Sequence, residues 1–383
     1  VSLTDRAHAD EAAAIAASDA LHARARAMID AFERGVPMPE TFDRLALDLA
    51  RFQVSNVAGY ARLCAARGVD VAALLDPSRA PAVPADAFKA GRVFAFDVEA
   101  FDVERTAVCF RTSGTTVGAR GAHFMRHSMT YDAAAVAFGR RTLFGGLPAR
   151  VPVFLLGPSE ADAPDSSLAR MCGVFARTFG RPGDDAGLVT SAGIAVGEVR
   201  ARAAALDPAV PAVVLATSFA LVHLLDALAG DCIPLPKGSR VMQTGGTKGR
   251  SREVSPVELR RAVAVAFAID ERAVVGEYGM TELSSQFWEP TATDPAARLG
   301  VYVEPPWARV VPVDGDTLEP VEGSAIGIAR IEDLANVDSA WAVLTQDRVR
   351  RVPDGGFELI GRAPGAPPRG CSIALDEMLS PER

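Results

Sequence analysis

Short β-branched and aromatic runs at residues 93–96, 107–111, 151–156 and 212–216 alternate with helical stretches at 131–143, 165–179, 220–229 and 256–267. No other feature constrains the fold as much. Strands separated by helices pair in parallel, with each helix carrying the chain back along the sheet. The expectation is an α/β fold with layered helices and a largely parallel sheet. Residues 4–75 read as helical, with apolar residues at helical spacing in Ala25, Met28, Ile29 and Phe32 and again in Leu45, Leu49 and Phe52. The run Pro81-Ala82-Val83-Pro84-Ala85-Asp86 interrupts that pattern as a connector. Residues 290–312 are rich in proline. Beyond Gly327, the runs 328–332, 342–345 and 357–360, with a turn at Pro353-Asp354-Gly355-Gly356, read as a β-rich subdomain. The organisation expected is a helical N-terminal segment (1–80), an α/β core (81–300) and a β-rich subdomain with a tail (301–383).

Composition narrows the classes of function. Apolar residues make up 49% and charged residues 23% of the 383 positions, as in ordinary globular proteins. A net charge of −8 argues against nonspecific nucleic-acid binding, which needs a basic footprint. Small molecules or proteins are the expected partners. No apolar run reaches membrane-spanning length, and the opening VSLTDRAHADEAAA has no signal-peptide core, so a cytoplasmic protein is expected. The five cysteines are scattered and form no CxxC pair, which fits reduced thiols. Cys64, Cys109, Cys172 and Cys232 have apolar neighbours in sequence and read as small core residues.

Three motifs carry chemistry. In the first, a strand runs into Thr112-Ser113-Gly114-Thr115-Thr116, followed by Val117-Gly118-Ala119-Arg120-Gly121. Glycines admit a polyphosphate close to the backbone, successive N–H groups form an anion nest, and hydroxyls add donors. No Gly-Lys-Ser/Thr closes it, so it is not a Walker A loop, and a plain polar β-turn fits the same residues. The second is Glu277-Tyr278-Gly279-Met280-Thr281-Glu282, after a run of strand character at 273–275. Glu282 offers a hard oxygen ligand, and a helix cap at Thr281 is the plainer reading. The third is Leu344-Thr345-Gln346-Asp347-Arg348, followed by Gly361-Arg362. One carboxylate, Asp347, can accept two hydrogen bonds from a vicinal diol, and a solvated Asp at a strand end fits equally.

In this order the motifs resemble those of the adenylate-forming superfamily of acyl-CoA ligases and luciferases. The phrase Val83-Pro84-Ala85-Asp86-Ala87-Phe88-Lys89, the segment Gln243-Thr244-Gly245-Gly246-Thr247-Lys248 and the terminal Arg369-Gly370-Cys371-Ser372 are similar to the acyl-protein synthetase family, which activates fatty acids for a bacterial luminescence reductase. The resemblance runs from about residue 80 to the end. It implies an ATP- and Mg2+-dependent ligase that converts a fatty or aromatic carboxylic acid to an acyl-adenylate. It assigns phosphate to the 112–116 loop, adenine to Tyr278 with Gly279, Met280 and Thr281 around it, the metal to Glu282 and the ribose to Asp347, near Arg362. Thr217, Ser218 and Phe219 would wall the acyl pocket.

The resemblance further implies transfer of the acyl group to Cys371, which follows the flexible Pro364-Gly365-Ala366-Pro367-Pro368 run. Arg369 would favour its thiolate, while a merely packed cysteine is the alternative. Val117 stands where glycine is common, Arg120 where lysine is common, and Gln346 where glycine is usual. The family's small lid, with its catalytic lysine, follows the Gly-Arg hinge, and this sequence is expected to lack it. Lys248, in the glycine-rich turn that holds Gly245 and Gly246, is the expected substitute. Coenzyme A, a carrier protein or an amine are the other acyl acceptors, and a reductase complex or oligomer is compatible. A non-catalytic adenylate-binding subunit is the third reading. His123 and His127 follow the phosphate loop and read as solvated loop residues, and His223 reads as half-buried.

Overall fold

The computed structural model describes residues 3–91, 93–96, 108–112, 120–190, 193–245, 254–363 and 378. Helices α1 (Leu3–Arg34), α2 (Phe42–Asn56) and α3 (Ala58–Ala66) come first, then β1 (Val83–Pro84), α4 (Ala87–Ala90), β2 (Val108–Arg111), β3 (Ala122–Met125) and α5 (Met129–Arg141). An alternating run follows: β4 (Val153–Leu156), α6 (Ser167–Phe179), β5 (Val189–Thr190), β6 (Gly193–Ile194), α7 (Val196–Ala204), β7 (Val213–Thr217), α8 (Ser218–Leu228), β8 (Arg240–Thr244), α9 (Pro256–Phe267) and β9 (Val274–Tyr278). The last strands are β10 (Phe287–Trp288), β11 (Val301–Tyr302), β12 (Ala308–Val313), β13 (Ile326–Asp333), β14 (Ala342–Arg351) and β15 (Phe357–Arg362).

The described residues divide into two compact units that interleave along the sequence rather than following three consecutive segments. The first takes residues from 1–137, 280–285 and 304–383, the second 138–279 and 286–303. The reason is in the pairing. β1 adds in parallel to β14 at Val83↔Val343 and Pro84↔Leu344, so the stretch after the N-terminal helices belongs to the same unit as the late strands.

In the second unit, β4, β7, β8 and β9 are parallel and β10 closes the order β10-β9-β8-β7-β4 antiparallel to β9. Phe154, Leu156, Val214, Ala216, Val241 and Val274 form one apolar face, packed with Leu221, Leu224, Leu259, Val263 and Phe267 of α8 and α9. Burial on both faces explains the short, β-branched strands. Helix starts are fixed by side chains: the Ser166 hydroxyl accepts from Ala169 N at 3.2 Å, and Ser255 and Glu258 form a capping box behind Pro256.

In the first unit, β12 to β15 form an antiparallel meander. Helices α1 and α2 bind to it through buried polar groups. Gln53 Nε2 donates to the carbonyls of Asn336 (2.8 Å) and Val337 (2.9 Å), and its Oε1 accepts from Trp341 N. Ser18, the His22 ring and Arg126 N meet the buried Asp338 carboxylate. Burial alone would raise that carboxyl, but these hydrogen bonds outweigh it and hold it at about 2. Residues 93–96 are buried yet form no strand. Their backbone is tied instead by Ala95 N to the Asp338 carbonyl at 2.9 Å. Cys64 and Cys172 are core residues as expected, whereas Cys109 is half-buried and Cys232 exposed.

Candidate functional site

The hairpin β2–β3 leads into and out of the phosphate-loop motif. Its ladder ends at Arg111↔Ala122, and Thr112 N and the Gly121 carbonyl continue it at 2.9 Å. Gly121 N donates to Thr112 Oγ1 at 2.9 Å, and Arg120 Nε donates to the Thr112 carbonyl at 2.7 Å. Ser113, Gly114, Thr115, Thr116 and Val117 lie outside the described residues, as do Gly246, Lys248 and Cys371. Gly121 is closely packed: a Cβ there would lie 3.1 Å from Thr112 Cγ2 and 3.3 Å from Lys89 Cγ. The Lys89 stem therefore crosses the mouth of this hairpin.

Lys89 is itself anchored. Its ammonium pairs with Asp86 Oδ1 at 2.9 Å, and Asp86 Oδ2 accepts from Gln346 Nε2 at 2.5 Å. The departure from glycine at position 346 thus ties the third motif to the Val83–Lys89 phrase. Next to it, Asp347 lies opposite Arg362 across β14 and β15, with Arg362 Nε 3.8 Å from Asp347 Oδ1. Thr345 Oγ1 accepts from Asp347 N at 3.0 Å. The Arg362 side chain is 66% exposed, so this pair contributes little to stability.

Glu282 sits on a segment whose backbone is held from several sides. His123 Nδ1 bonds the Thr281 carbonyl at 2.8 Å, and Asn336 Nδ2 donates to the Glu282 carbonyl at 2.8 Å. Asp333 accepts from Ser284 N and Ser285 N at 2.9 and 2.8 Å. The Glu282 residue is only 6% exposed, and burial pushes its carboxyl up to about 7, against the pull of the Lys89 and Arg362 charges. Among the described residues no group of three or more His, Cys, Asp or Glu is arranged to hold a metal ion.

His123 is not a solvated loop residue. It is buried, bonded to Thr281 on one side and Ser339 Oγ (2.8 Å) on the other, and burial lowers it to about 4, so it is neutral. His127 packs on the His22 ring at 4.4 Å, and its Nδ1 is buried without a partner among the described residues. Sequence reading missed the anchoring role of His123, whose bonding partners lie 158 and 216 residues away.

The second unit carries the remaining candidates on the carboxyl edge of its parallel strands, the usual ligand-binding edge of such sheets. Thr217 ends β7 and accepts from Ala220 N at 3.0 Å, capping α8. Ser218 Oγ donates to the Gly245 carbonyl at 2.7 Å, and Gly245, at φ +71°, turns the chain after β8 in a conformation open to glycine. Phe219 stands edge-on to His223, ring centroids 4.3 Å apart, and His223 is exposed rather than half-buried. Tyr278 ends β9, buried, with its ring 5.9 Å from Phe287 and 6.2 Å from Tyr302. Beside it, Thr244 Oγ1 donates to the buried Glu277 carboxyl, which burial nevertheless pushes up to about 7. Gly279 is confined, since a Cβ there would lie 2.6 Å from Glu277 Oε1. Met280 and Thr281, which belong to the first unit, are half-buried.

No protein-family model matches the chain, and no curated protein matches it by sequence. Among solved structures it is similar to ATP-bound MatB from Rhodopseudomonas palustris, with 14% identity over 66% of this chain and 47% of that one, at a TM-score of 0.46. It is similar to the O-succinylbenzoate coenzyme A synthetase MenE from Bacillus subtilis in complex with AMP, with 18% identity, 66% and 49% coverage and a TM-score of 0.45. For the anthranilate CoA ligase AuaEII in complex with anthranoyl-AMP the values are 17%, 66% and 46%, and 0.44. The chain spans about half the length of each of these proteins.

Proposed function

We propose that this protein activates a carboxylic acid with ATP, forming an acyl-adenylate and releasing pyrophosphate. The observation that carries the proposal lies in the first unit. Around the Asp86–Lys89 pair, the mouth of the 112–121 loop, Glu282 and the Gln346–Asp347 strand end are brought together from three distant stretches of sequence. Phosphate-loop hydroxyls, a hard carboxylate and a diol acceptor are the complement that a nucleoside triphosphate requires.

In this reading Thr112, Ser113, Gly114, Thr115 and Thr116 hold phosphate, Asp347 the ribose and Tyr278 the adenine. Glu282 would hold Mg2+, which supplies charge neutralisation between the carboxylate substrate and the polyphosphate. Its raised carboxyl fits that task, because a cation replaces the proton that burial favours. Lys89 and Arg120 supply positive charge at the loop mouth, and Lys248 is the proposed substitute for a lid lysine. Catalysis is chiefly positioning of two anions that otherwise repel, together with fixed charge for the pentacovalent phosphate. Thr217, Ser218 and Phe219 line the acyl side.

The acyl group then passes to an acceptor, with Cys371 proposed from the acyl-protein synthetase resemblance and coenzyme A, a carrier protein or an amine as the other acceptors. Pyrophosphate–ATP exchange driven by a panel of fatty and aromatic acids tests the first step. The expected result is exchange that depends on the acid, and ATP binding without exchange would favour a non-catalytic subunit. Cys371→Ser separates the acceptors: a labelled acyl–protein species is expected to vanish, while transfer to a soluble acceptor would survive.

A further inference from the structure

The carboxyl edge of the parallel sheet is more polar than its packing requires. Directly paired residues on neighbouring strands share a sheet face, so Thr217, Thr244, Glu277 and Trp288 form one row across β7, β8, β9 and β10. The row lies on the face opposite the Val214, Ala216, Val241 and Val274 core. Cys172 of α6 is near it: burial and then the Glu277 charge push that thiol up. Phe175 of the same helix packs on Trp288 with ring centroids 5.9 Å apart.

Two buried side chains here lack partners among the described residues. The Trp288 indole N–H has no acceptor although the residue is 0% exposed, and Gln286 Oε1 has no donor at 5% exposure. Gln286 is beside Glu277: its Cγ lies 3.7 Å, and Glu277 Oε1 2.6 Å, from the position a Gly279 Cβ would take. Each buried polar atom left unpaired carries a desolvation cost that apolar residues of similar shape would avoid. The row therefore offers an unused donor, an unused acceptor, and a carboxyl that burial holds near its midpoint at neutral pH. A hydroxyl or amino group matches that set. It can accept from the indole or pair with the carboxylate, and it can donate to the amide oxygen.

We propose that this row forms the end of the acyl pocket and selects a carboxylic acid that carries a hydroxyl or amino group on its acyl body. The assignment rests on the acid-activating reading. An unsubstituted alkyl or aryl acid would press apolar surface on Glu277 and leave Trp288 and Gln286 unpaired, which is how a polar site rejects an analogue lacking the polar group. Glu277 is the specificity residue. A hydroxyl would bond its neutral or ionised form, whereas an ammonium would require the ionised form, so preference for an amino acid substrate rises with pH through about 7 and preference for a hydroxy acid does not.

The test is acid-dependent pyrophosphate–ATP exchange with matched sets, one straight-chain and one aromatic, each unsubstituted, hydroxylated and aminated. It is run on the wild type, Glu277→Gln and Trp288→Phe. The expected result is that the wild type favours a substituted acid by at least about tenfold in kcat/KM, and that one of the two variants narrows this gap to within about threefold. The wild-type comparison needs no variant, so misfolding of either does not protect the proposal. Unsubstituted acids used as well as or better than their substituted partners would overturn it while leaving the acid-activating reading standing. Exchange with no acid at all would overturn both.

Discussion

At pH 7 the Glu282 carboxyl of the free protein is about half protonated, because burial raises it to about 7. Magnesium held at Glu282, as proposed, needs the ionised form, so its binding would release a proton and weaken as pH falls. Titration of Mg-ATP is expected to show roughly tenfold weaker metal binding at pH 6 than well above 7, and Glu282→Gln should abolish that dependence along with most of the affinity. The folded carboxyl keeps a proton that the unfolded chain has released between about 4.5 and about 7. The Glu282 contribution to stability therefore falls as pH rises through that window, and Glu277 adds the same sign. His123 works the other way. Its folded value of about 4 lies below the ordinary 6.5, so the unfolded chain binds more protons and stability is lost as pH falls from 6.5 toward 4. Replacing His123 by Leu should flatten that acid limb. It should also cost about 1–3 kcal/mol in chemical denaturation, by leaving Thr281 and Ser339 without the ring.

The elements set these residues in place, and the sequence reveals some of them better than others. The strands β4, β7 and β9 are legible because burial on both faces demands short β-branched runs, and α6 and α9 because Ser166 and Ser255 announce their starts, whereas β8 (Arg240–Thr244) is not among the strands expected from the sequence. The run at 93–96 has the same apolar character but pairs with no strand among the described residues, so composition alone misleads there. β12 is hidden in the proline-rich stretch, where Pro312 is tolerated in a strand at the end of the β15-β14-β13-β12 meander. The order of the motifs is what nominates the candidate site residues, while the contacts among Lys89, Asp86 and Gln346 are not legible in the sequence, since Asp86 and Gln346 are 260 residues apart. Gly279 is an example of an element-scale constraint. Ala at this position would put its Cβ 2.6 Å from Glu277 Oε1, so Gly279→Ala is expected to lower the thermal midpoint and to weaken the Thr244–Glu277 bond. An unchanged melting profile for that variant would show that the strand end yields freely.

On the scale of the whole molecule, the interleaving of the two units makes the N-terminal helices dependent on the last strands. Ser18, His22 and Gln53 find their buried partners at residues 336–338 and 341, far beyond the first 137 residues. A fragment comprising residues 1–137 is therefore expected to lack cooperative unfolding and to show poor amide dispersion, whereas a dispersed spectrum would mean that those helices carry their own core. The central claim concerns what the assembled chain does to ATP, and the products decide it most directly. The protein is incubated with ATP labelled at the α-phosphate, Mg2+ and the acid panel, and the products are identified by mass spectrometry. The account predicts an acyl-adenylate and pyrophosphate in equal amounts, dependent on the acid and lost in Glu282→Gln. Release of ADP and phosphate, or ATP recovered intact with every acid, would contradict it.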